Sequence, residues 1–316
     1  MNSPKIGVVG AGAFGKNHLR TFHEMGVLAG IAEPFPKARE SARQTYPGVP
    51  VFEKASDLFA SGIDAATIVT PAHLHAPIAI QAIDAGLDVF IEKPMTLHSA
   101  EAEDLIQRAA ARQRILMVGH LLLYQPAIAF LKEFLEAGKL GKVFTLHQDR
   151  MKLGRARSVE NVLWSFGVHD IAVLLHLTGQ KPVKSTFIGH CGLQPNIADD
   201  TFLHLEFPNG TQAHLHNSWL WPDNRRGLHI IGEKGVLHYD EVAQQVTWNH
   251  KTINAALENV DEGSEVLFTA PPNFQPLRAE LDHFIRCIQT RSTPLSDGHG
   301  GAAVVRILEQ VSPISA

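Results

Sequence analysis

Three glycines near the start of the chain have the spacing of a dinucleotide-binding turn. Gly10, Gly12 and Gly15 form the pattern G-x-G-x-x-G, directly after a short apolar run at residues 6–9. The first glycine allows a tight bend, the second lets backbone approach a ligand, and the third lets the next helix pack on the strand. That helix, predicted for residues 13–25, directs unpaired N–H groups and a favourable dipole at a pyrophosphate. The turn therefore predicts a dinucleotide site that also includes Ala13 and Phe14.

An acidic residue at the end of the second predicted strand completes the pattern. Glu33 lies 18 residues after Gly15, near the expected spacing of about 20. Its carboxylate is placed to accept hydrogen bonds from an adenosine ribose and to repel a 2′-phosphate, which predicts NAD over NADP. Lys37 and Arg39 are close enough to weaken that preference. The alternative, a glycine-rich turn in some other α/β domain, is disfavoured by the flanking strand and helix.

Further residues that can carry chemistry follow other predicted strands. Ligands of an open α/β sheet bind outside the carboxyl ends of its strands. Lys93 lies at such an end, and Pro94 restricts the backbone after it. Desolvation there favours the neutral amine, which suits Lys93 to bond a hydroxyl or carbonyl oxygen, whereas the alternative is an ordinary surface lysine. The other residues predicted at these strand ends are Thr70, Pro71, Glu92 and His120.

The elements that position these residues fall into two patterns. Repeated strand–helix units with apolar strands continue to residue 120 and predict a Rossmann-type, doubly wound parallel sheet in an α/β protein. After that point a helix at 126–137 and a strand at 143–152 precede a mostly β region that begins at residue 183. We therefore predict an NAD-binding domain at 1–120 and a C-terminal α/β domain at 121–316, with a large, mostly antiparallel open sheet. The polar stretch 261–272 is predicted to be a loop.

Composition narrows the classes of function. The chain has 316 residues, 45% of them hydrophobic and 19% charged, and a net charge of −4 without a long basic run. Nucleic acid is therefore not a predicted partner. Two cysteines, Cys191 and Cys287, indicate a reducing compartment without a disulfide framework. No signal region and no apolar run near 18 residues is present, which predicts a cytoplasmic protein without a membrane partner.

Several motifs along the chain carry a resemblance to a known family. They are the glycine turn, Thr70-Pro71-x-x-x-His75, Glu92-Lys93-Pro94, Gly167-Val-His169-Asp170 and Pro294-Leu-Ser-Asp297. Together they resemble the glucose–fructose oxidoreductase, inositol dehydrogenase and rhizopine catabolism (Gfo/Idh/MocA) family, over essentially the whole chain. The resemblance implies an NAD(P)-dependent oxidoreductase of sugars, inositols or related compounds, with Lys93 and His169 as the catalytic pair and His75 at the cofactor site. It also implies a homo-oligomer, a dimer or tetramer, formed through the open C-terminal sheet.

Two departures from the family pattern bear on the substrate. Ser165 stands four residues before His169, where the family often has an aspartate, and Leu121–Leu123 stand where many members have arginines. Gly119-His120-x-x-x-Tyr124-x-Pro126-Ala127, Arg150 and the stretch Asn161–Asp170 resemble the pattern of bacterial family members that oxidise UDP-N-acetylglucosamine at C3, ahead of transamination in lipid A or surface-glycan synthesis. The implied substrate is thus a nucleotide sugar. The residues implied to bind it are Tyr124, Arg150, Arg157, Trp164, Ser165 and Asp170.

Alternatives remain open at this level. The chain is a nucleotide-sugar dehydrogenase, a dehydrogenase of a free sugar or inositol, or a non-catalytic NAD-binding regulator, and the presence of both Lys93 and His169 counts against the last. Either residue can be the base. His214 and His216 have metal-ligand spacing, but no H-E-x-x-H or C-x-x-C pattern accompanies them. We predict that they lie on a sheet face and that no metal is needed, because NAD accepts the hydride.

Overall fold

The structure, a computed structural model, describes residues 3–313. The chain divides into two compact units. The first contains the residues up to Leu121 together with Gln275–Arg306, and the second contains Leu122–Phe274 together with the residues from Ile307 onward. The C-terminal domain was predicted to contain all residues after 120, whereas in the structure residues 275–306 belong to the first unit. Aromatic packing holds this segment in the first unit, because the ring of Phe284 contacts the ring of Phe90 at 5.7 Å between centroids.

The first unit is built on a six-stranded parallel sheet with the order β3-β2-β1-β4-β5-β6. All residues of β1, β4, β5 and β6 are buried, which explains why these strands read as continuous apolar runs. The order reverses between β1 and β4, where ligands of doubly wound sheets bind. The predicted Rossmann sheet is thus confirmed. Its strands are β1 (Ile6–Val9), β2 (Leu28–Ala32), β3 (Val51–Phe52), β4 (Ala65–Ile68), β5 (Asp88–Glu92) and β6 (Leu116–Gly119).

Helices cover this sheet. Several begin where the sequence dictates, since α2 and α8 carry a proline in their first turn, where the missing N–H costs nothing. Helix α9 (Gly298–Val311) begins in this unit, and its last residues belong to the second. The others are α1 (Gly15–Glu24), α2 (Pro36–Thr45), α3 (Ala55–Phe59), α4 (His75–Asp84), α5 (Ser99–Ala111) and α8 (Pro276–Thr290).

The second unit is built on an eight-stranded sheet with the order β14-β13-β12-β11-β7-β10-β9-β8. Only β7 and β10 pair in parallel; every other neighbouring pair is antiparallel. This confirms the predicted large, mostly antiparallel sheet. The strands are β7 (Val143–Met151), β8 (Lys184–His190), β9 (Asp200–Glu206), β10 (Gln212–Ser218), β11 (Arg225–Gly232), β12 (Gly235–Asp240), β13 (Gln245–Ile253) and β14 (Asn259–Thr269), and the helices are α6 (Pro126–Glu136) and α7 (Val168–Thr178).

The two faces of this sheet differ. Leu146, Leu203, Leu215 and Leu237 are buried on one face, and the residues that alternate with them are half-buried or exposed. The prediction of a loop at 261–272 was wrong, because β14 pairs along β13 through most of that stretch. Most of its side chains are exposed, so the alternation that marks a half-buried strand is absent from an edge strand of this kind.

Among residues 3–313, no helix has the length and apolar character needed to cross a bilayer.

Candidate active site

The glycine turn is held by two close backbone contacts. Gly10 has φ +104°, and a Cβ there would lie 2.6 Å from the carbonyl oxygen of Val69. A Cβ on Gly15 would lie 2.2 Å from the carbonyl oxygen of Gly10, so only glycine lets α1 start this close to the turn. A Cβ on Gly12 would meet nothing within 4 Å. Helix α1 has neither a side-chain cap nor an acid in its first turn, which leaves its first N–H groups available to a phosphate.

Glu33 ties the end of β2 to this turn. Its buried carboxylate accepts the backbone N–H of Ala11 at 2.7 Å and that of Phe35 at 2.9 Å. Each carboxylate oxygen has a second lone pair, so the group can still accept from a ribose hydroxyl. Arg39 is committed elsewhere, because it donates to the carbonyl oxygens of Glu33 and Pro34 and pairs with Glu53 at 2.9 Å. Lys37 is exposed.

Lys93 follows β5 and is half-buried, between two buried polar contacts. The carboxylate of Glu92 accepts the backbone N–H of Lys93 at 3.1 Å, and its other oxygen lies 2.8 Å from His18 Nε2. On the other side, the buried ring of His75 has Nδ1 2.8 Å from the carbonyl oxygen of Pro94 and Nε2 2.8 Å from that of Thr70. His75 thus braces the segment after β4 against the segment after β5, and its cofactor contact stays a prediction.

His120 and Thr70 bring polar atoms without partners to the same strand ends. Both ring nitrogens of His120 and the hydroxyl of Thr70 are buried and have no hydrogen-bond partner in the described chain. Burial lowers the pKa of His120 to about 4, with Glu92 opposing and Lys93 adding to the shift, so the ring is neutral at pH 7. Buried polar atoms normally find partners. These atoms, the accessible Gly12 and the acceptor Glu33 together fit NAD, a ligand with donors and acceptors of its own.

His169 lies in the first turn of α7 and is half-buried. The preceding segment Leu163–Gly167 is π-helical, a form found often at functional sites. It carries the half-buried Ser165. A Cβ on Gly167 would lie 2.5 Å from Leu163 and 2.6 Å from Asn217, so glycine is needed where the π turn joins α7. Tyr124 is half-buried in a short 3-10 turn.

The structure is at odds with the predicted substrate contacts of Arg150 and Asp170. Arg150 is buried, and its Nε donates to Asp170 at 2.8 Å. Its two terminal nitrogens donate to the two carboxylate oxygens of Glu241, at 3.0 and 2.5 Å. Asn217 donates to the other oxygen of Asp170 at 2.8 Å. The Arg150 guanidinium is therefore paired with two carboxylates of the second unit. Breaking a buried ion pair of this kind to bind a substrate would be costly.

Trp164 also lies in the interior rather than on an accessible surface. Its side chain is 1% exposed, and the indole N–H donates to the carbonyl oxygen of Ser312 at 2.7 Å. It has no free face for a sugar or base, so its predicted substrate role is not supported. Arg157 is exposed and pairs with Glu160 at 3.7 Å, which leaves it accessible to a ligand.

Sequence reasoning missed two buried residues that interact with Glu92, His18 and Glu280. His18 is fully buried on α1, three residues after Gly15, and this short spacing from the turn was the available signal. Glu280 on α8 is also buried, and burial together with the charge of Glu92 raises its pKa well above the ordinary value. Nothing local in the sequence relates Glu280 to β5. Across residues 3–313, no cluster of three or more His, Cys, Asp or Glu could hold a metal ion.

Comparison with known proteins agrees with this arrangement. The model of the GFO/IDH/MocA oxidoreductase family, described as an NAD-binding Rossmann fold, matches residues 4–120, and the family's C-terminal domain matches residues 128–238. The UDP-N-acetylglucosamine 3-dehydrogenase of Acidithiobacillus ferrooxidans is 28% identical over 97% of this chain and 96% of its own. A solved structure of that enzyme superposes with a TM-score of 0.87 at 27% identity, over 99% of this chain and 97% of that chain.

An inositol dehydrogenase is similar over a shorter stretch. The scyllo-inositol 2-dehydrogenase (NAD+) of Bacillus subtilis is 27% identical over 74% of this chain and 70% of its own. The two family-model matches agree with the observed structure, which has a parallel sheet, a glycine turn and Lys93 at the end of β5. The chain therefore belongs to the Gfo/Idh/MocA oxidoreductase family and is an NAD-dependent dehydrogenase.

Proposed function

We propose that the protein oxidises the C3 hydroxyl of a nucleotide sugar, UDP-N-acetylglucosamine, to the 3-keto sugar with NAD as acceptor. The observation that carries the proposal is the extent of the similarity to the Acidithiobacillus enzyme, which spans nearly the whole of both chains in sequence and in structure. The product would feed a transamination on the way to lipid A or a surface glycan.

The protein's own residues have distinct roles in the proposed reaction. The turn at Gly10–Gly15 and the carboxylate of Glu33 hold the adenosine end of the cofactor, and Thr70 and His120 face its reactive end. Bound NAD supplies the hydride acceptor. Lys93 or His169 takes the proton of the substrate hydroxyl, and the other stabilises the oxygen as charge develops. Ser165, four residues before His169, is uncharged where the family often has an aspartate. This difference favours Lys93 as the base.

Charge for the substrate diphosphate must come from cations that remain accessible to a ligand. Arg150 is excluded by its two buried carboxylate partners. Lys152, Arg155 and Arg157 are exposed on the segment that follows β7. Cations that bind a remote diphosphate provide binding energy away from the reacting carbon, which can orient the sugar for hydride transfer. We assign the diphosphate to this segment, with Tyr124 and Ser165 toward the sugar.

The test is a substrate panel followed by NADH absorbance. The protein is incubated with NAD and, in separate reactions, with UDP-N-acetylglucosamine, free N-acetylglucosamine or myo-inositol. The masses of the products are measured by mass spectrometry. We expect turnover of the UDP-sugar, a product lighter by two hydrogens, and its capture by an added sugar aminotransferase. Equal rates with the free sugar would replace this proposal by a free-sugar dehydrogenase, and oxidation of the inositol alone would replace it by an inositol dehydrogenase.

The diphosphate contact has its own control within the chain. Arg155→Ala should raise KM for the UDP-sugar while leaving kcat near the wild-type value, because it removes binding shared by ground and transition states. Arg225, which pairs with Asp149 on the sheet, is the matched surface arginine, and Arg225→Ala should leave both constants unchanged. An unchanged KM in Arg155→Ala would remove this residue from the substrate site.

Self-association through the open sheet is part of the proposal. The face opposite the buried leucines carries exposed apolar residues, among them Ile188, Phe202 and Val266. Exposed apolar side chains gathered on one face suit a protein interface. Light scattering should give a mass of two or four chains, and Phe202→Glu should reduce it. A monomeric wild type would contradict this part.

A further inference from the structure

The segment that carries Lys93 is fixed by a chain of contacts that begins on the cofactor-binding helix. His18 lies on α1, and its Nε2 is 2.8 Å from one carboxylate oxygen of Glu92. The other oxygen of Glu92 accepts the backbone N–H of Lys93 at 3.1 Å. A carboxylate only accepts hydrogen bonds, so Nε2 of His18 carries the hydrogen and donates it. One buried carboxylate therefore connects α1 to the backbone of the catalytic lysine.

This connection is enclosed on every side. His18 is 0% exposed and its ring contacts Phe22 and Phe90, at 6.3 and 5.5 Å between centroids. Gly119 on the neighbouring strand leaves room for Glu92, since a Cβ there would lie 3.1 Å from the carboxylate. Nδ1 of His18 has no hydrogen-bond partner among residues 3–313. Within these residues, the contact with Glu92 is therefore the only hydrogen bond of the ring. Loss of the His18 donor would leave one buried oxygen of the Glu92 carboxylate without this hydrogen bond, which is costly in the interior.

The charge around Glu92 is also controlled. Glu280, on α8, is fully buried near it, and burial together with the Glu92 charge raises the pKa of Glu280 well above its usual range. Glu280 therefore favours its neutral form, and the Glu92 carboxylate is the group in direct contact with the Lys93 backbone. The placement of that charge depends on which oxygen His18 holds, and a carboxylate free to rotate would bond less well to the Lys93 backbone.

We propose that His18 is a positioning residue for Lys93, acting through Glu92, and that it makes the orientation of the lysine depend on the helix whose N-terminus receives the cofactor. The proposal rests on the proposed dehydrogenase function. His18 need not touch substrate or cofactor in this role. Its effect is on the step that Lys93 performs and not on the binding of NAD.

Kinetics test the role through a matched set of variants. His18→Leu removes the donor at similar volume, and His18→Gln keeps an N–H that can reach Glu92. We expect His18→Leu to lower kcat by roughly 10- to 100-fold, since small misplacements of a reacting group cost about that much, with KM for NAD nearly unchanged. His18→Gln should recover most of the loss. Leu19→Val, a buried change on the same helix, should leave kcat near wild type; an equal loss there would reduce His18 to general packing.

A double-mutant cycle identifies Lys93 as the target. In a Lys93→Ala background, adding His18→Leu should cause no further loss of the residual turnover, because residues that act as a unit are not additive. Independent, multiplying losses would overturn the proposal.

A measurement without turnover separates this proposal from the proposed function. Protein labelled with ¹³Cε-lysine is titrated by NMR with NAD bound, and the Lys93 signal is assigned by its absence in Lys93→Arg. Glu92→Gln removes a nearby negative charge, which should move the Lys93 midpoint to lower pH; His18→Leu should also change the midpoint, and Leu19→Val should not. An unchanged midpoint in His18→Leu overturns the positioning role. Failure of every sugar to reduce NAD, with these midpoints shifting as expected, overturns the proposed function alone.

Discussion

Histidines occur in two contrasting settings in this protein. In the first unit His18, His75 and His120 are buried at the strand ends beside Lys93. In the second unit a row of histidines crosses five adjacent strands on the half-exposed sheet face, in register with one another. Within the row, rings stack on rings, with centroids 4.7 Å apart for His147 and His214 and 4.2 Å apart for His229 and His238. The row is His204, His214, His147, His229 and His238.

The difference shows what burial does to one residue type. The buried rings face fixed groups: Glu92 for His18 and two carbonyl oxygens for His75. The rings of the row have mainly one another as neighbours, and burial together with these neighbours lowers the pKa of His214 and His229. The abundance of histidine in the sequence, 18 residues, therefore indicates neither a metal site nor catalysis by itself. We expect changes near Lys93 to affect turnover, and changes in the row to affect acid stability.

The largest expected effect is on Lys93. Lys93→Ala should lower kcat by roughly 10²–10⁴-fold, the usual contribution of a general acid–base group, with NAD affinity little changed. Stopped-flow NADH formation and NAD binding by calorimetry measure the two quantities. Lys184, which pairs with Glu206 on the open face, is the matched lysine, and Lys184→Ala should retain full turnover. Near-normal turnover in a folded Lys93→Ala protein would remove the assignment.

His169 provides the same contrast inside the second unit. His169→Ala should also lower kcat by roughly 10²–10⁴-fold, whereas His229→Ala, a half-buried histidine of the row, should leave it unchanged. If both variants lose turnover equally, the two settings do not differ in function and the catalytic role of His169 fails.

The next effect concerns Glu33, a buried acid whose partners are backbone N–H groups. Glu33→Ala should reduce the preference for NAD over NADP by about 10-fold or more, because a single charge contact with a ribose or phosphate is worth about 1.5–3 kcal/mol. Dissociation constants for both cofactors measure the ratio. Glu24→Ala, which removes an exposed acid paired with Arg20 on α1, is the control. Tighter binding of NADP than NAD by the wild type would contradict the argument.

Local patterns were sufficient for the parts of the fold that depend on local chemistry. Glycine spacing identified the turn, and apolar runs identified the buried parallel strands. Partners distant in sequence were not accessible in this way: Arg150 meets Asp170 and Glu241, 20 and 91 residues away, so an apparent substrate cation proved to be an interior ion pair. The edge strand β14 was missed because it buries little, and Glu280 because only folding brings α8 to β5.

A smaller effect is expected from His120 through acid stability. Its pKa falls from 6.5 in the unfolded chain to about 4 in the folded protein. The unfolded state therefore takes up a proton first as pH falls below 6.5, and stability is lost from there down to about pH 4. At pH 5 this amounts to about 2 kcal/mol, at 1.4 kcal/mol per pKa unit. Urea unfolding of the NAD-free protein at pH 7 and 5 should show a smaller acid loss in His120→Leu than in the wild type.

The smallest effect belongs to the row. Burial and the neighbours His147 and His204 lower the pKa of His214, so stability present above pH 6.5 is again lost as pH falls. Because His214 is half-buried whereas His120 is fully buried, screening makes this loss smaller than that of His120.

Two substitutions within the row should act in the same direction. His214→Gln should slightly reduce the stability lost between pH 7 and pH 5, because it removes a group that charges first in the unfolded chain. Burial and the neighbouring His238 also lower the pKa of His229, so His229→Gln should reduce the loss as well. The measurement is the change in urea midpoint between the two pH values, at low and high salt, with the difference from the wild type shrinking as salt screens the charges. A loss that neither variant reduces would show that the row does not behave as a set of mutually repelling rings.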